Sequence, residues 1–173
     1  MKRLILPSAL AGSFLLLYLL TLTQVHTYDA LSYILDVDRK PWQELFHPHH
    51  LAYGPFGALI RAAAIARGWQ GSAAVLLQMA NALAGAAGVA LFAWIAEREL
   101  RRVGEWPAWY SAALAGAGAV IIGASYAFWY YAIEVEVYTV AALFLIAALG
   151  LMLELTRRPQ MRLAVALGLI QGM

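Results

Sequence analysis

The sequence contains no cysteine. That absence removes disulfides, iron–sulfur clusters and thiolate zinc sites together. It leaves the redox compartment undecided, because a membrane protein does without cysteine on either side. Charge is scarce too. Asp, Glu, Lys and Arg make up 13% of the 173 residues, against roughly 25% in an average soluble domain. A net charge of +2 is too small to suggest nucleic acid, and no nucleic-acid partner is expected. There is no internal repeat, low-complexity tract or flexible linker. What is present is apolar: 63% of the residues are hydrophobic and the mean hydropathy is +0.69, the composition of a membrane protein.

The long uncharged runs give the expected spans. Leu4 to Thr23 follows Lys2-Arg3 and holds twenty residues without a charge. At ~1.5 Å per residue it covers ~30 Å, one hydrocarbon core. A cleaved signal peptide is disfavoured, since its apolar region runs about 7–15 residues and a small-x-small site should follow. Ser72 to Ile95, Ala108 to Tyr131 and Val135 to Leu155 are read as three further spans, and Leu163 to Met173 as part of a fifth. The expected fold class is therefore all-α. It is a polytopic transmembrane helix bundle of four full spans plus a partial fifth, with an outer loop, 24–71, containing interfacial helices. Residues 1–173 are read as the N-terminal part of one transmembrane domain.

Sidedness follows from the basic residues, which collect on the cytoplasmic side of short loops. Leu51 to Arg67 is the ambiguous stretch, short and carrying Arg61 and Arg67. If it does not cross, Lys2-Arg3, Arg98/Arg101/Arg102 and Arg157/Arg158/Arg162 all fall inside. If it crosses, the last two clusters move outside. The first arrangement is expected, with Leu51 to Arg67 an outer interfacial helix whose arginines snorkel to headgroups. A cytoplasmic loop is then expected around Glu97 to Pro107, and a short outer turn near Ile133 to Glu136. Small residues at four-residue spacing, Ala84-xxx-Gly88 and Ala115-xxx-Ala119-xxx-Gly123, suit close helix packing in lipid.

Of the ten acidic residues, six fall on the expected outer side: Asp29, Asp36, Asp38, Glu44, Glu134 and Glu136. All four histidines, His26, His47, His49 and His50, join them. Asp29 lies six residues past the first span, where it is either the N-cap of a helix or a general base at headgroup depth. If it opens a helix, Ser32 and Tyr33 share its face. Glu134 and Glu136 follow an aromatic belt of Trp129, Tyr130 and Tyr131, with Tyr138 beyond. In a helix Glu134 and Tyr138 would share a face while Glu136 points away. Two solvated turn residues are the plain alternative.

"HPHH", His47 to His50, is broken by a proline, which rules out a helical i, i+4 metal pair. Three readings stay open: a substrate-facing loop donating to phosphate or sugar hydroxyls, a polar connector, and a divalent metal site borrowing carboxylates such as Asp29 or Glu136. No cofactor is otherwise called for.

The order of these features resembles the GT-C type glycosyltransferases, and within them the bacterial membrane proteins related to protein O-mannosyltransferases. The matching residues are Asp29 in the first outer segment, His47-Pro48 to Leu51-x-Tyr53, and Val135-Glu136-Val137-Tyr138. Two departures stand out: Tyr28-Asp29-Ala30 where many members carry an adjacent Asp-Glu pair, and HPHH where they carry HPP. The resemblance implies a multi-pass enzyme of the cell membrane, taking a sugar from a polyprenyl-phosphate donor and transferring it on the outer face. It makes Asp29 the base. It gives His47, His49, His50, Tyr53, Glu134, Glu136 and Tyr138 to substrate binding, and Arg61 to the phosphate. The competing readings are a transporter or flippase for a lipid-linked or anionic substrate, and a non-catalytic membrane subunit. Carriers bind near the midplane in interrupted helices, whereas these spans read as continuous with bare centres.

Overall fold

The computed structural model describes residues 4–46, 52–104 and 106–171. Among them the chain is helical, with no strand. The order is α1 (Ile5–Leu20), α2 (Tyr28–Arg39), a 3-10 turn (Trp42–Glu44), α3 (Tyr53–Ile65), α4 (Ala73–Val103), α5 (Ala108–Ala124), α6 (Tyr126–Ile133), α7 (Tyr138–Arg157) and α8 (Met161–Gln171).

The 31-residue α4 is the axis of the fold and packs against α1, α2, α3, α5, α6 and α7. It is capped by Ser72, whose hydroxyl accepts from the Ala74 amide, and it reaches the α1 and α5 helices through small residues. On α5 the buried stripe is Ser111, Ala115, Ala119 and Gly123, so the four-residue spacing marks the contact face. Gly123 is required there. A Cβ would lie 2.7 Å from the Phe14 ring and 2.8 Å from Val89, while its carbonyl accepts the buried Tyr18 hydroxyl at 2.8 Å. Phe14, Tyr18, Ala86, Val89 and Ala119 form the centre of the main core.

A second apolar cluster lies beside it. Ala30, Ile34 and Val37, at i, i+4 and i+7, put one face of α2 against Tyr53, Leu77, Val135 and Val137. Asp38 fastens this layer, accepting from Arg61 Nε at 2.7 Å and from the Ala73 amide at 3.1 Å. The carboxylate thus sits at the positive end of the α4 dipole. The described residues of segment 24–71 accordingly include the helices α2 and α3, but Arg61 is held by Asp38 rather than reaching away from the bundle.

The span count is corrected. Among the described residues only α4 and α7 are long and apolar enough to cross a membrane, with α5 and α6 a third if that bent pair is one span; four full spans are not supported. The α1 helix stops at Leu20, after 16 residues, because Thr21 turns its hydroxyl onto the Leu17 carbonyl and accepts the Trp129 indole N–H. The run from Ala108 to Tyr131 is not continuous. It bends by 62° between α5 and α6, where Ser125 is extended and its hydroxyl takes the Ile122 carbonyl at 2.7 Å. The run from Val135 becomes helix only at Tyr138. The loop expected from Glu97 is helix through Val103, stopped by Gly104.

The charges separate along the bundle. At one end α4 and α7 are laced by ion pairs: Arg98 with Glu154, Arg157 with Glu99, and Arg102 with both glutamates. The other end carries His26, Asp29, Glu134 and Glu136.

Candidate functional site

The site is built where the segment after α1 crosses the link between α6 and α7. That link, Glu134 to Val137, is buried throughout although it is not helical. Its backbone groups need partners inside the protein, and α4 supplies them. Asn81 Nδ2 donates to the carbonyls of Glu134 at 2.7 Å and Glu136 at 2.6 Å. One turn earlier, Gln78 Nε2 donates to Ile133 O at 3.0 Å and Thr23 O at 2.9 Å. The two amides of one helix thereby hold two separate chain segments in register. The Val135 amide is satisfied locally by Glu134 Oε1 at 2.8 Å.

The carboxylates of this link turn toward the start of α2. Glu134 Oε1 is 2.8 Å from His26 Nδ1, and Glu136 Oε1 accepts the Thr27 hydroxyl at 2.9 Å. Thr27 also caps α2, accepting from the Ala30 amide at 3.0 Å. Asp29 follows in the first helical turn, exposed. Thr27 therefore holds the capping position, and the N-cap reading of Asp29 is corrected. Asp29 and Ser32/Tyr33 do share a helix. Tyr33 meets the Tyr53 ring edge-on at 5.1 Å, and the buried Tyr53 hydroxyl donates to Asn81 Oδ1 at 3.4 Å.

Electrostatics report the same convergence. Burial pushes the Tyr33 hydroxyl up to about 12, helped by the charges of Glu136 and Asp29. Burial likewise raises Tyr53. Glu136 is held above the ordinary carboxylate range, chiefly by loss of solvent and then by Asp29 and Glu134, against the lowering hydrogen bond from Thr27.

Two expectations for this region are overturned by burial and backbone. Glu134 is 0% and Glu136 4% exposed, so they are not solvated turn residues. Glu134 lies in extended backbone after α6 and shares no helical face with Tyr138. That tyrosine opens α7 with its ring half exposed, 4.6 Å from the Tyr131 ring. Arg61 is engaged by Asp38. His47, His49 and His50 lie outside the described residues. Among the described residues no group of three or more His, Asp or Glu side chains is placed to hold a metal.

His26, Thr27, Gln78 and Asn81 were not singled out from the sequence as site residues. The available signal was Gln78-xx-Asn81 inside an apolar run, since buried amides in a span require partners.

Beside the cluster an apolar groove of about 1210 Å³ opens between α1, α3, α4, α7 and α8. Ile60, Met79, Leu83 and Phe144 line it, and Tyr53, Val137 and Tyr138 connect it to the carboxylates.

A family model described as protein O-mannosyl-transferase TMEM260 N-terminal domain matches residues 43–173. No curated protein and no solved structure matches the chain.

Proposed function

The chain belongs to the protein O-mannosyl-transferase TMEM260 N-terminal domain family, and on that premise we propose that it moves a sugar, mannose by the family's description, from a polyprenyl-phosphate donor to an acceptor hydroxyl. The observation that carries this reading is the junction of a long apolar groove with a carboxylate cluster at one end of the bundle. An isoprenoid chain has the shape and chemistry of the groove. Its phosphate would then rest near Tyr53 and Tyr138, level with Asp29 and Glu136.

The chemistry follows from in-line displacement. The acceptor hydroxyl attacks the anomeric carbon, its oxygen forming the new bond as the bond to the phosphate oxygen breaks with its electron pair. A carboxylate takes the hydroxyl proton. Asp29 is the candidate base, being exposed and adjacent to the cluster. Glu136, fixed through its carbonyl by Asn81 and through its carboxyl by Thr27, positions the acceptor or sugar. The GT-C architecture is part of this proposal. So is the side: arginines gather at the opposite end of α4 and α7, which the positive-inside rule assigns to the cytoplasm, leaving the cluster on the outer face of the cell membrane.

Membranes carrying the full chain, given polyprenyl-phosphate [³H]mannose, are expected to deliver label to a protein acceptor. The second reading is a carrier, favoured by the 62° break between α5 and α6. It would be supported if the labelled lipid crossed the bilayer with its sugar still attached, and that outcome would refute transfer.

A further inference from the structure

Resting on that transferase reading, we propose that His26, oriented by Glu134, holds the donor's phosphate as it leaves. The starting point is Glu134. Its side chain is fully buried, and Oε2 has no hydrogen-bond partner among the described residues. A carboxylate removed from water persists as an ion only when a cation or strong donors compensate it. Oε1 receives two donors, the Val135 amide and His26 Nδ1, both at 2.8 Å. His26 is the basic group paired with it among the described residues.

The pairing dictates what the ring offers. With Nδ1–H given to Glu134, the tautomer and the ring plane are fixed, and Nε2 lies on the far side of the ring. Protonated at both nitrogens, His26 neutralises Glu134 and presents Nε2–H as a charged donor. Its side chain keeps 20% of its surface open, so a ligand can reach it. Position supports this use. His26 directly precedes Thr27, which binds Glu136, and lies three residues before Asp29, so both stand at the start of α2.

The requirement is specific. Departure of a prenyl phosphate develops negative charge on the phosphoryl oxygen, which N–H or cationic donors must stabilise. Of the cations in the same segment, Arg61 is paired with Asp38 and Lys40 with Asp36, Arg67 turns onto the Ala63 carbonyl, and Arg39 closes α2 at the end of that helix away from His26. The groups that interact with Glu134 are Glu136 from the same link, itself next to Asp29, with Tyr130 and Tyr53 from α6 and α3. None of these is cationic, so among the described residues His26 is the basic donor at this end of α2.

The test measures binding of geranylgeranyl phosphate to the full chain in nanodiscs, from pH 5.5 to 8.5, beside geranylgeraniol and inorganic phosphate. Wild-type protein is expected to bind the prenyl phosphate roughly tenfold more tightly than geranylgeraniol. His26→Gln is expected to bind the prenyl phosphate roughly tenfold more weakly than wild type at pH 5.5, and Glu134→Gln, which leaves the ring unoriented, to weaken binding in the same direction. Unchanged geranylgeraniol binding reports that the variants are folded. If both variants bind the prenyl phosphate as wild type does, with the same pH profile, the assignment of His26 is overturned while the donor reading stands. If wild type prefers neither the prenyl phosphate nor geranylgeraniol, the donor reading itself fails. Inorganic phosphate binding with equal affinity and pH dependence would overturn the lipid-linked ligand.

Discussion

The side-chain amide of Asn81 lies 2.6 Å from the carbonyl oxygen of Glu136, 55 positions along the chain. The same nitrogen reaches the Glu134 carbonyl. A single residue on α4 thus ties down both ends of the peptide that carries the buried acids. Asn81→Leu would leave two buried carbonyls unpaired, a loss on the order of 2–4 kcal/mol. The expected result is a lower unfolding midpoint in detergent. An unchanged midpoint would show that the link is held by other means.

The raised Glu136 carboxyl gives a pH dependence with a definite sign. The folded protein holds this proton more tightly than the unfolded chain does, because burial disfavours the anion. Its contribution is fully present below the unfolded glutamate value of ~4.3 and is lost as pH rises through the raised native value. Glu136→Gln cannot ionise. Unfolding midpoints followed upward from about pH 4.3 should fall less steeply in this variant than in wild type, and parallel curves would contradict the assigned cause.

The absence of cysteine makes orientation directly measurable, since any introduced thiol is unique. Val25, 78% exposed, stands at the acidic end; Val103, 85% exposed, stands at the arginine end. A membrane-impermeant maleimide applied to intact cells should label Val25→Cys and spare Val103→Cys until the cells are permeabilised. The reverse pattern would place the site on the cytoplasmic side.

Much of this architecture is legible in composition and periodicity. Helicity, the packing stripe Ala115-xxx-Ala119-xxx-Gly123 and the gathering of acids near Asp29, Glu134 and Glu136 all follow from residue type and spacing. What hydropathy does not carry is where a helix stops. The run Leu4 to Thr23 is uncharged throughout, yet α1 ends at Leu20, where Thr21 bonds backward to Leu17 and across to Trp129. The α5–α6 bend turns on Ser125, a lone polar residue near Gly123, and such a pair is a weak kink signal when read without its partners. The site was half visible for a related reason. A carboxylate shows itself in sequence, but the burial of Glu134 depends on Asn81 and His26, which meet it only through tertiary packing.

The most direct test of the account is sugar transfer by Asp29→Asn set beside Glu44→Gln, a change to an exposed acid of the same segment. With polyprenyl-phosphate [³H]mannose, Asp29→Asn should lower transfer at least roughly 100-fold, the scale of a lost general base. Glu44→Gln should remain near wild type. Full transfer by Asp29→Asn in folded protein would contradict the role given to this end of the bundle.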